Sequence, residues 1–303
     1  MIHTIHTVIQ TLATALKYQY AHEEAQSIAW ELIRHITQKS RIQLIVEKNS
    51  VSDEQLNAAS ALVEKHLHSH IPIAYLTGEL LFGDLTLSIR PPILIPRSET
   101  ESWCYELIER LEPLATEPLR ILDLCTGSGC IALALAHALP HATVVGIDIN
   151  PAAITLAEEN KAALGIINCT FKLSDLFNAV QDQTFDIIVA NPPYIGIQEL
   201  NSLSTSVRDF ESHTALFAEK DGYAIIESII IQAPQFLRHN NALADLSIPQ
   251  LLIEIGYKQG EMVKTFMETH KYANIALWKD YQGHNRVACA QVSAYVSPKE
   301  SAT

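Results

Sequence analysis

Ile121-Leu122-Asp123-Leu124-Cys125-Thr126-Gly127-Ser128-Gly129-Cys130 passes from an apolar segment into a glycine-containing loop, and Ile131-Ala132-Leu133-Ala134-Leu135-Ala136 follows at once. The pattern predicts a strand, a tight loop and an Ala/Leu-rich helix. The glycines permit φ > 0 and let a ligand approach the backbone closely. The helix N-terminus beyond them offers free N–H groups. This is half of a Rossmann-like nucleotide site. Its spacing is G-x-G without a third glycine, so it is not the dinucleotide fingerprint. A second predicted strand, Thr143-Val144-Val145-Gly146-Ile147-Asp148, ends in an acid. A carboxylate at that tip can accept hydrogen bonds from both ribose hydroxyls. A helix N-cap ahead of Pro151 is the competing reading of Asp148. Asp175 stands after the predicted strand Cys169-Thr170-Phe171-Lys172, in Leu173-Ser174-Asp175-Leu176-Phe177. It reads either as an acceptor for an adenine amine, with Leu176 or Phe177 against the ring, or as a helix cap or turn.

Downstream, Phe185-Asp186-Ile187-Ile188-Val189 is short, apolar and rich in β-branched residues, the pattern of a buried strand. Ala190-Asn191-Pro192-Pro193-Tyr194 closes it. The prolines fix φ and remove two N–H donors, so local carbonyls face outward as acceptors. Asn191 adds a side-chain carbonyl and Tyr194 a flat face. Such a corner suits a planar NH2 group with two hydrogens to satisfy, either an amide side chain or an exocyclic base amine. Taken alone, a plain Pro-rich turn accounts for it as well. Joined to the glycine loop and the strand-tip acids, it reads as the substrate corner of an S-adenosyl-L-methionine-dependent methyltransferase. Cofactor contacts are expected at Asp123, Cys125, Thr126, Gly127, Ser128, Gly129, Asp148, Asp175, Leu176 and Asn191. Asn191, Pro192, Pro193 and Tyr194 are expected to hold the substrate, with Asn191, Pro192 and Tyr194 acting in catalysis. Cys125 and Cys130 read as small packing residues, not nucleophiles.

The chain resembles the bacterial release factor glutamine methyltransferases, which modify the glutamine of the Gly-Gly-Gln motif in class 1 peptide chain release factors. The matching pieces span most of the sequence. They include Ile73-Ala74-Tyr75-Leu76-Thr77-Gly78-Glu79, Phe82-Gly83-Asp84-Leu85, Leu94-Ile95-Pro96-Arg97-Ser98-Glu99-Thr100-Glu101 and Asn191 to Tyr194. Near the C-terminus come Ile253-Glu254-Ile255-Gly256 and Asp280-Tyr281-Gln282-Gly283-His284-Asn285-Arg286. The Ile-Pro-Arg-x-Glu-Thr-Glu stretch is the most specific, because Asn-Pro-Pro-Tyr is shared with adenine and other amide methylases. The chain departs from the family pattern at Ser98 and Ser212, where proline is usual, and at Glu219-Lys220, where a glycine-rich turn is usual. The resemblance implies N5-methylation of a release factor glutamine, with the release factor gripped by an N-terminal helical domain.

Composition and patterning are consistent with this. At 303 residues, 48% of them hydrophobic, the chain can hold one large domain and a small one. The formal net charge of −13 opposes non-specific nucleic-acid binding, which requires phosphate neutralisation, and favours a protein partner. Five cysteines without a C-x-x-C pair suit a reducing cytoplasm. The alternating His66, His68 and His70 lack a nearby acid or cysteine cluster, so no metal is expected. No signal peptide and no apolar run of membrane-spanning length are read, and a cytoplasmic monomer is expected.

Residues 1–70 carry helical periodicity. Ala25, Ile28, Ala29, Leu32 and Ile33 form an i, i+3, i+4, i+7, i+8 stripe within 21–37. Helical patterning continues over 41–46 and 52–67, where Ser52-Asp53-Glu54 offers a cap and first-turn acids. Residues 73–90 read as a hairpin. From about 118 strands and helices alternate, the mark of an α/β sheet with right-handed crossovers, ending in strands at 251–255, 275–279 and 286–291. The expected fold is therefore α/β, a Rossmann-like class I methyltransferase sheet with a small N-terminal helical domain and a connecting β-hairpin. The expected boundaries are 1–70 for substrate recognition, 71–117 for hairpin and linker, and 118–303 for the cofactor-binding domain. Two other readings remain: methylation of a nucleic-acid adenine or a ribosomal-protein glutamine, and a non-catalytic cofactor-binding protein.

Overall fold

The computed structural model describes residues 2–46 and 50–292. They divide into two compact units. One takes the described residues up to Leu80, with Ile89–Pro91 and Ser204–Phe210; the other takes Leu81–Ser88, Pro92–Leu203 and the described residues from Glu211 onward.

The first unit begins with strand β1 (Ile2–Thr4), helices α1 (Ile5–Leu16), α2 (His22–Thr37) and α3 (Arg41–Val46), strand β2 (Ser50–Ser52), and helices α4 (Asp53–Ser69) and α5 (Ile73–Thr77). Helical spacing places Val8, Ile9, Leu12, Ala13 and Leu16 on one buried face of α1. Ala25, Ala29, Leu32 and Ile33 do the same for α2, and Ala59 and Val63 for α4, closing one apolar core. Burying each large aliphatic side chain contributes roughly 1.5–3 kcal/mol. The cap expected at Ser52 is present: its hydroxyl accepts from Gln55 N at 3.2 Å, and Gln55 Oε1 accepts from Ser52 N at 3.0 Å. His66 is buried and fully used inside this unit, its Nε2 2.7 Å from Tyr20 Oη and its Nδ1 2.7 Å from the Ile71 carbonyl.

The expected hairpin starts later than its sequence suggests. Ile73–Thr77 is a short helix, closed by Gly78 at φ +75°. Its Ile73 side chain joins the helical core, and that burial outweighs the local strand pattern. The hairpin itself is β3 (Glu79–Phe82) and β4 (Leu85–Ser88).

The chain continues through α6 (Ser98–Leu111), β5 (Arg120–Leu124), α7 (Cys130–Ala138), β6 (Thr143–Asp148), α8 (Pro151–Leu164), β7 (Cys169–Leu173) and β8 (Ile187–Ala190). Then come α9 (Thr205–Phe210, in the first unit), α10 (His213–Leu216), α11 (Ala224–Gln232), α12 (Asn241–Asp245), β9 (Leu251–Glu254), α13 (Gly260–Thr269), β10 (Tyr272–Lys279) and β11 (Asn285–Val292). Seven strands form one sheet in the order β10-β11-β9-β8-β5-β6-β7. The pairs from β9 to β7 are parallel, and β11 runs antiparallel to both of its neighbours. Alternation along β5 sends Ile121 to one face and Leu122 and Leu124 to the other. The first face packs under α6 and α7, the second under α11 and α13. Covered on both sides, all four residues of β8 are inaccessible, which explains its unbroken apolar run. The chain leaves β5 toward β6 and β7, then returns to place β8 on the other flank of β5. That reversal opens a crevice at the carboxyl ends of the strands, where ligands of open α/β sheets bind.

Candidate active site

A cavity of about 440 Å³ lies at this switch point, within the range of small-ligand sites. Its lining includes Cys125 and Gly127 after β5, Asp148 at the tip of β6, Asp175 and Leu176 after β7, and Asn191 after β8. Residues far apart in sequence meet here because each follows a parallel strand of the same sheet.

The loop after β5 is held from behind. Asp123 is fully buried, and its Oδ2 accepts from Thr126 Oγ1 at 2.5 Å and from Ala132 N at 3.2 Å. One carboxylate thus fastens the loop to the first turn of α7. Burial pushes the Asp123 pKa up to about 7, against the opposing pull of the Thr126 hydroxyl and the Ala132 amide. Gly127 sits at φ +56°, and a Cβ built there would meet nothing within 4 Å. Its backbone borders open cavity. Asp123, Thr126, Ser128 and Gly129 are buried behind that surface and do not line the cavity.

Asp148 does not cap α8; Asn150 does, its side chain accepting from Ala152 N at 2.9 Å. Asp148 instead accepts from Gly127 N at 2.9 Å through Oδ2 and from Asn150 N at 2.8 Å through Oδ1. Burial raises its pKa, while N–H donors from Asn150, Gly127 and Ile149 oppose the rise. Each oxygen retains a lone pair for a further donor. Asp175 precedes a short 3-10 helix, Leu176–Val180, and makes no side-chain capping bond to it. Its exposed carboxylate borders the cavity. Two acids, a bare glycine backbone and an apolar Leu176 fit a nucleoside-bearing cofactor.

The lining also takes in Ile93 and Leu94, and Ser212, Thr214, Ala215 and Phe217. Ser212 N donates to the Pro92 carbonyl at 2.7 Å, a bond that a proline at 212 has no hydrogen to make. Arg97 Nη2 donates to both oxygens of buried Glu211 at 2.7 Å, joining the same two segments. In the turn at 219–222, Lys220 and Asp221 take φ of +52° and +55° without glycine. Gly222 is irreplaceable there, because a Cβ would stand 2.0 Å from the Tyr194 carbonyl oxygen.

Asn191, Pro192, Pro193 and Tyr194 leave β8 at the cavity edge. Asn191 and Pro193 line it, Pro192 is buried, and Tyr194 is partly buried. Asn191 Nδ2 donates to Thr100 Oγ1 at 3.3 Å, while no described residue donates to Asn191 Oδ1 or to the Pro192 carbonyl. Behind this corner stands Glu254, at the end of β9 and almost wholly inaccessible. Its Oε2 accepts from Thr100 Oγ1 at 2.7 Å and from Trp103 Nε1 at 2.8 Å. Its Oε1 accepts from Tyr194 Oη at 3.3 Å. Burial raises the Glu254 pKa, opposed by these donors and by Arg286. No local motif points to a role for Glu254, Thr100 or Trp103. The available signal was one acid inside the otherwise apolar run Leu251–Ile255, since a buried carboxylate must find donors.

Residues 115–282 match a methyltransferase domain, and residues 7–78 match the PrmC N-terminal domain. The chain is 33% identical over 277 residues to the release factor glutamine methyltransferase of Thermodesulfovibrio yellowstonii, covering 91% of this chain and 95% of that protein. It is 39% identical over 264 residues to that of Vibrio cholerae, covering 86% and 87% respectively. It is 36% identical over 277 residues to that of Escherichia coli K12, covering 91% and 95%. Identity at this level extends across both the helical segment and the sheet, so the chain belongs to the release factor glutamine methyltransferase family.

Proposed function

We propose that this protein uses S-adenosyl-L-methionine to methylate the N5 nitrogen of the glutamine in the Gly-Gly-Gln motif of class 1 peptide chain release factors. The observation that carries the reading is a pair of unused acceptors, Asn191 Oδ1 on a residue that lines the cavity and the carbonyl of Pro192 next to it in the chain. A primary amide nitrogen offers two hydrogens to two such acceptors. It is a poor nucleophile because its lone pair is delocalised into the carbonyl. The cofactor supplies a methyl group made electrophilic by its sulfonium. Asn191 and Pro192 therefore have mainly to orient the amide and restrain its resonance. Both carbonyls also stabilise positive charge as it develops on nitrogen, an oxyanion hole of inverted sign. Alignment of the reactants supplies the second contribution. Tyr194 stacks against the amide plane, with its hydroxyl anchored on Glu254. No general base is required, because methyl transfer leaves an N-protonated amide cation that gives up its extra proton to water readily, yielding the neutral N-methyl amide. Cofactor contacts come from Gly127, Asp148, Asp175 and Leu176 at the cavity, with Asp123, Thr126, Ser128 and Gly129 shaping the loop behind.

The amide corner is too small to distinguish one glutamine from another. Recognition of the release factor therefore falls to residues 1–70, with 71–117 as hairpin and linker and 118–303 as the cofactor-binding domain. A net charge of −13 supports a protein partner with no direct nucleic-acid contact. No described helix is long and apolar enough to cross a membrane, and all five cysteines are free thiols. Both facts accord with a cytoplasmic enzyme, which we take to act as a monomer. The test is methyl transfer from a labelled donor to a whole release factor, to the same factor with the loop glutamine replaced, and to a short Gly-Gly-Gln peptide. Label should enter only the first at full rate, because the peptide lacks remote contacts whose binding energy aids the reaction. Equal labelling of the glutamine-free factor would overturn the assignment.

A further inference from the structure

The Asn-Pro-Pro-Tyr corner does not by itself specify which end of the Asn191 carboxamide faces a substrate. An amide rotated by half a turn has nearly the same shape but presents NH2 in place of oxygen. Donor facing donor would then repel the glutamine NH2. Something outside the corner has to select the orientation.

We propose that Glu254 is a positioning residue that sets the polarity of the Asn191 amide through the Thr100 hydroxyl; this rests on the function proposed above. The number of hydrogens available around Thr100 decides the orientation. Glu254 Oε2 accepts from both Trp103 Nε1, which can only donate, at 2.8 Å and the Thr100 hydroxyl, and as an ionised carboxylate oxygen it has no proton to return. Thr100 Oγ1 lies 2.7 Å from the same oxygen and gives it the single proton it has. The hydroxyl is left with lone pairs alone. At 3.3 Å from Asn191 it can therefore accept from Nδ2 but cannot donate to Oδ1. The flipped amide would set two oxygens together with no proton between them. Asn191 consequently keeps Oδ1 as a free acceptor. Thr100 and Glu254 are each about 1% exposed, so water cannot easily supply the missing proton. Tyr194 Oη on the other carboxylate oxygen sets the Tyr194 hydroxyl from the same group. One buried carboxylate thus controls both polar members of the corner, and it touches neither the cavity nor a substrate.

The test compares Thr100→Val, which keeps the shape and removes the hydroxyl, with Thr100→Ser, which restores it. Thr100→Val should lower kcat on the whole release factor by roughly tenfold, the order of one lost neutral hydrogen bond. Its Kd for S-adenosylhomocysteine should not change. Thr100→Ser should recover most of the rate. Adding Thr100→Val to Asn191→Ala should cost nothing further, because the relay then has no amide to orient. A second readout is independent of turnover: in 15N–1H spectra, one Asn191 side-chain amide proton should exchange slowly with solvent in the parent and Thr100→Ser, and rapidly in Thr100→Val. Parent-like kcat in folded Thr100→Val, or no protected amide proton in the parent, overturns the relay. A parent that transfers no label to a release factor overturns the assigned function, and the exchange measurement then decides the relay alone.

Discussion

The backbone N–H of Gly127 donates to Asp148 Oδ2 at 2.9 Å, tying the loop after β5 to the tip of β6 across 21 residues of sequence. The carboxylate proposed as the ribose acceptor is therefore the same group that holds the glycine loop in place. Asp148→Ala should remove the ligand acceptor and release the Gly127 amide together. Binding of S-adenosylhomocysteine, measured by calorimetry, should weaken by roughly 1–3 kcal/mol. Unchanged affinity would mean that the ribose lies elsewhere.

Gly127→Val separates strain from occlusion. No atom lies within 4 Å of where a Cβ would stand, so the added side chain begins in open space. At φ +56° the cost to folding should be only ~1–2 kcal/mol, the penalty of a left-handed conformation. The branched side chain nevertheless projects toward the cavity that Gly127 lines. A folded protein that no longer binds S-adenosylhomocysteine is expected, and parent-like binding would displace the pocket from this loop.

Asn191→Ala should slow methyl transfer by about 10²–10³-fold, the range for deleting one preorganised electrostatic contact. Cofactor affinity should change far less. Loss of thermal stability and cofactor binding in parallel with activity would instead make Asn191 a structural turn residue.

Asp123 predicts a pH dependence of stability. Its folded pKa is raised to about 7 by burial, above the ordinary carboxylate range. A raised acid contributes stability below its unfolded pKa and loses it as pH climbs through the folded one. Thermal melts of the parent should therefore weaken between pH 5 and pH 8 relative to Asp123→Asn, by on the order of 2 kcal/mol. Comparing the slopes cancels the cost of the variant's own altered hydrogen bonds. Parallel slopes would show that Asp123 stays charged throughout.

The resemblance drawn from the motifs at Ile73–Glu79, Leu94–Glu101 and Asp280–Arg286 is borne out by the relatives the chain matches. Much of the architecture was also legible locally. Thr143–Asp148 is an apolar run ended by an acid, and it is strand β6 from its first residue to its last. Ser52 with Asp53 and Glu54 marks the start of α4, because a helix cap is a short-range interaction between neighbouring backbone and side-chain groups. Ile73–Thr77 is helical against its strand-like pattern because the core that receives Ile73 is built by helices elsewhere in the chain.

What the sequence alone determined is the periodicity of each element, the turns demanded by glycine and proline, and the family. Those depend on interactions spanning a few residues. Tertiary structure alone decided how the parts of the site divide their work. It buried Asp123 behind the loop and left Asp148 facing the cavity, although both acids stand near the carboxyl end of an apolar strand. It also brought Glu254 onto Thr100, 154 residues away in sequence. Burial and hydrogen-bond partnership are properties of the assembled sheet and the helices packed on it. No window of neighbouring residues contains them.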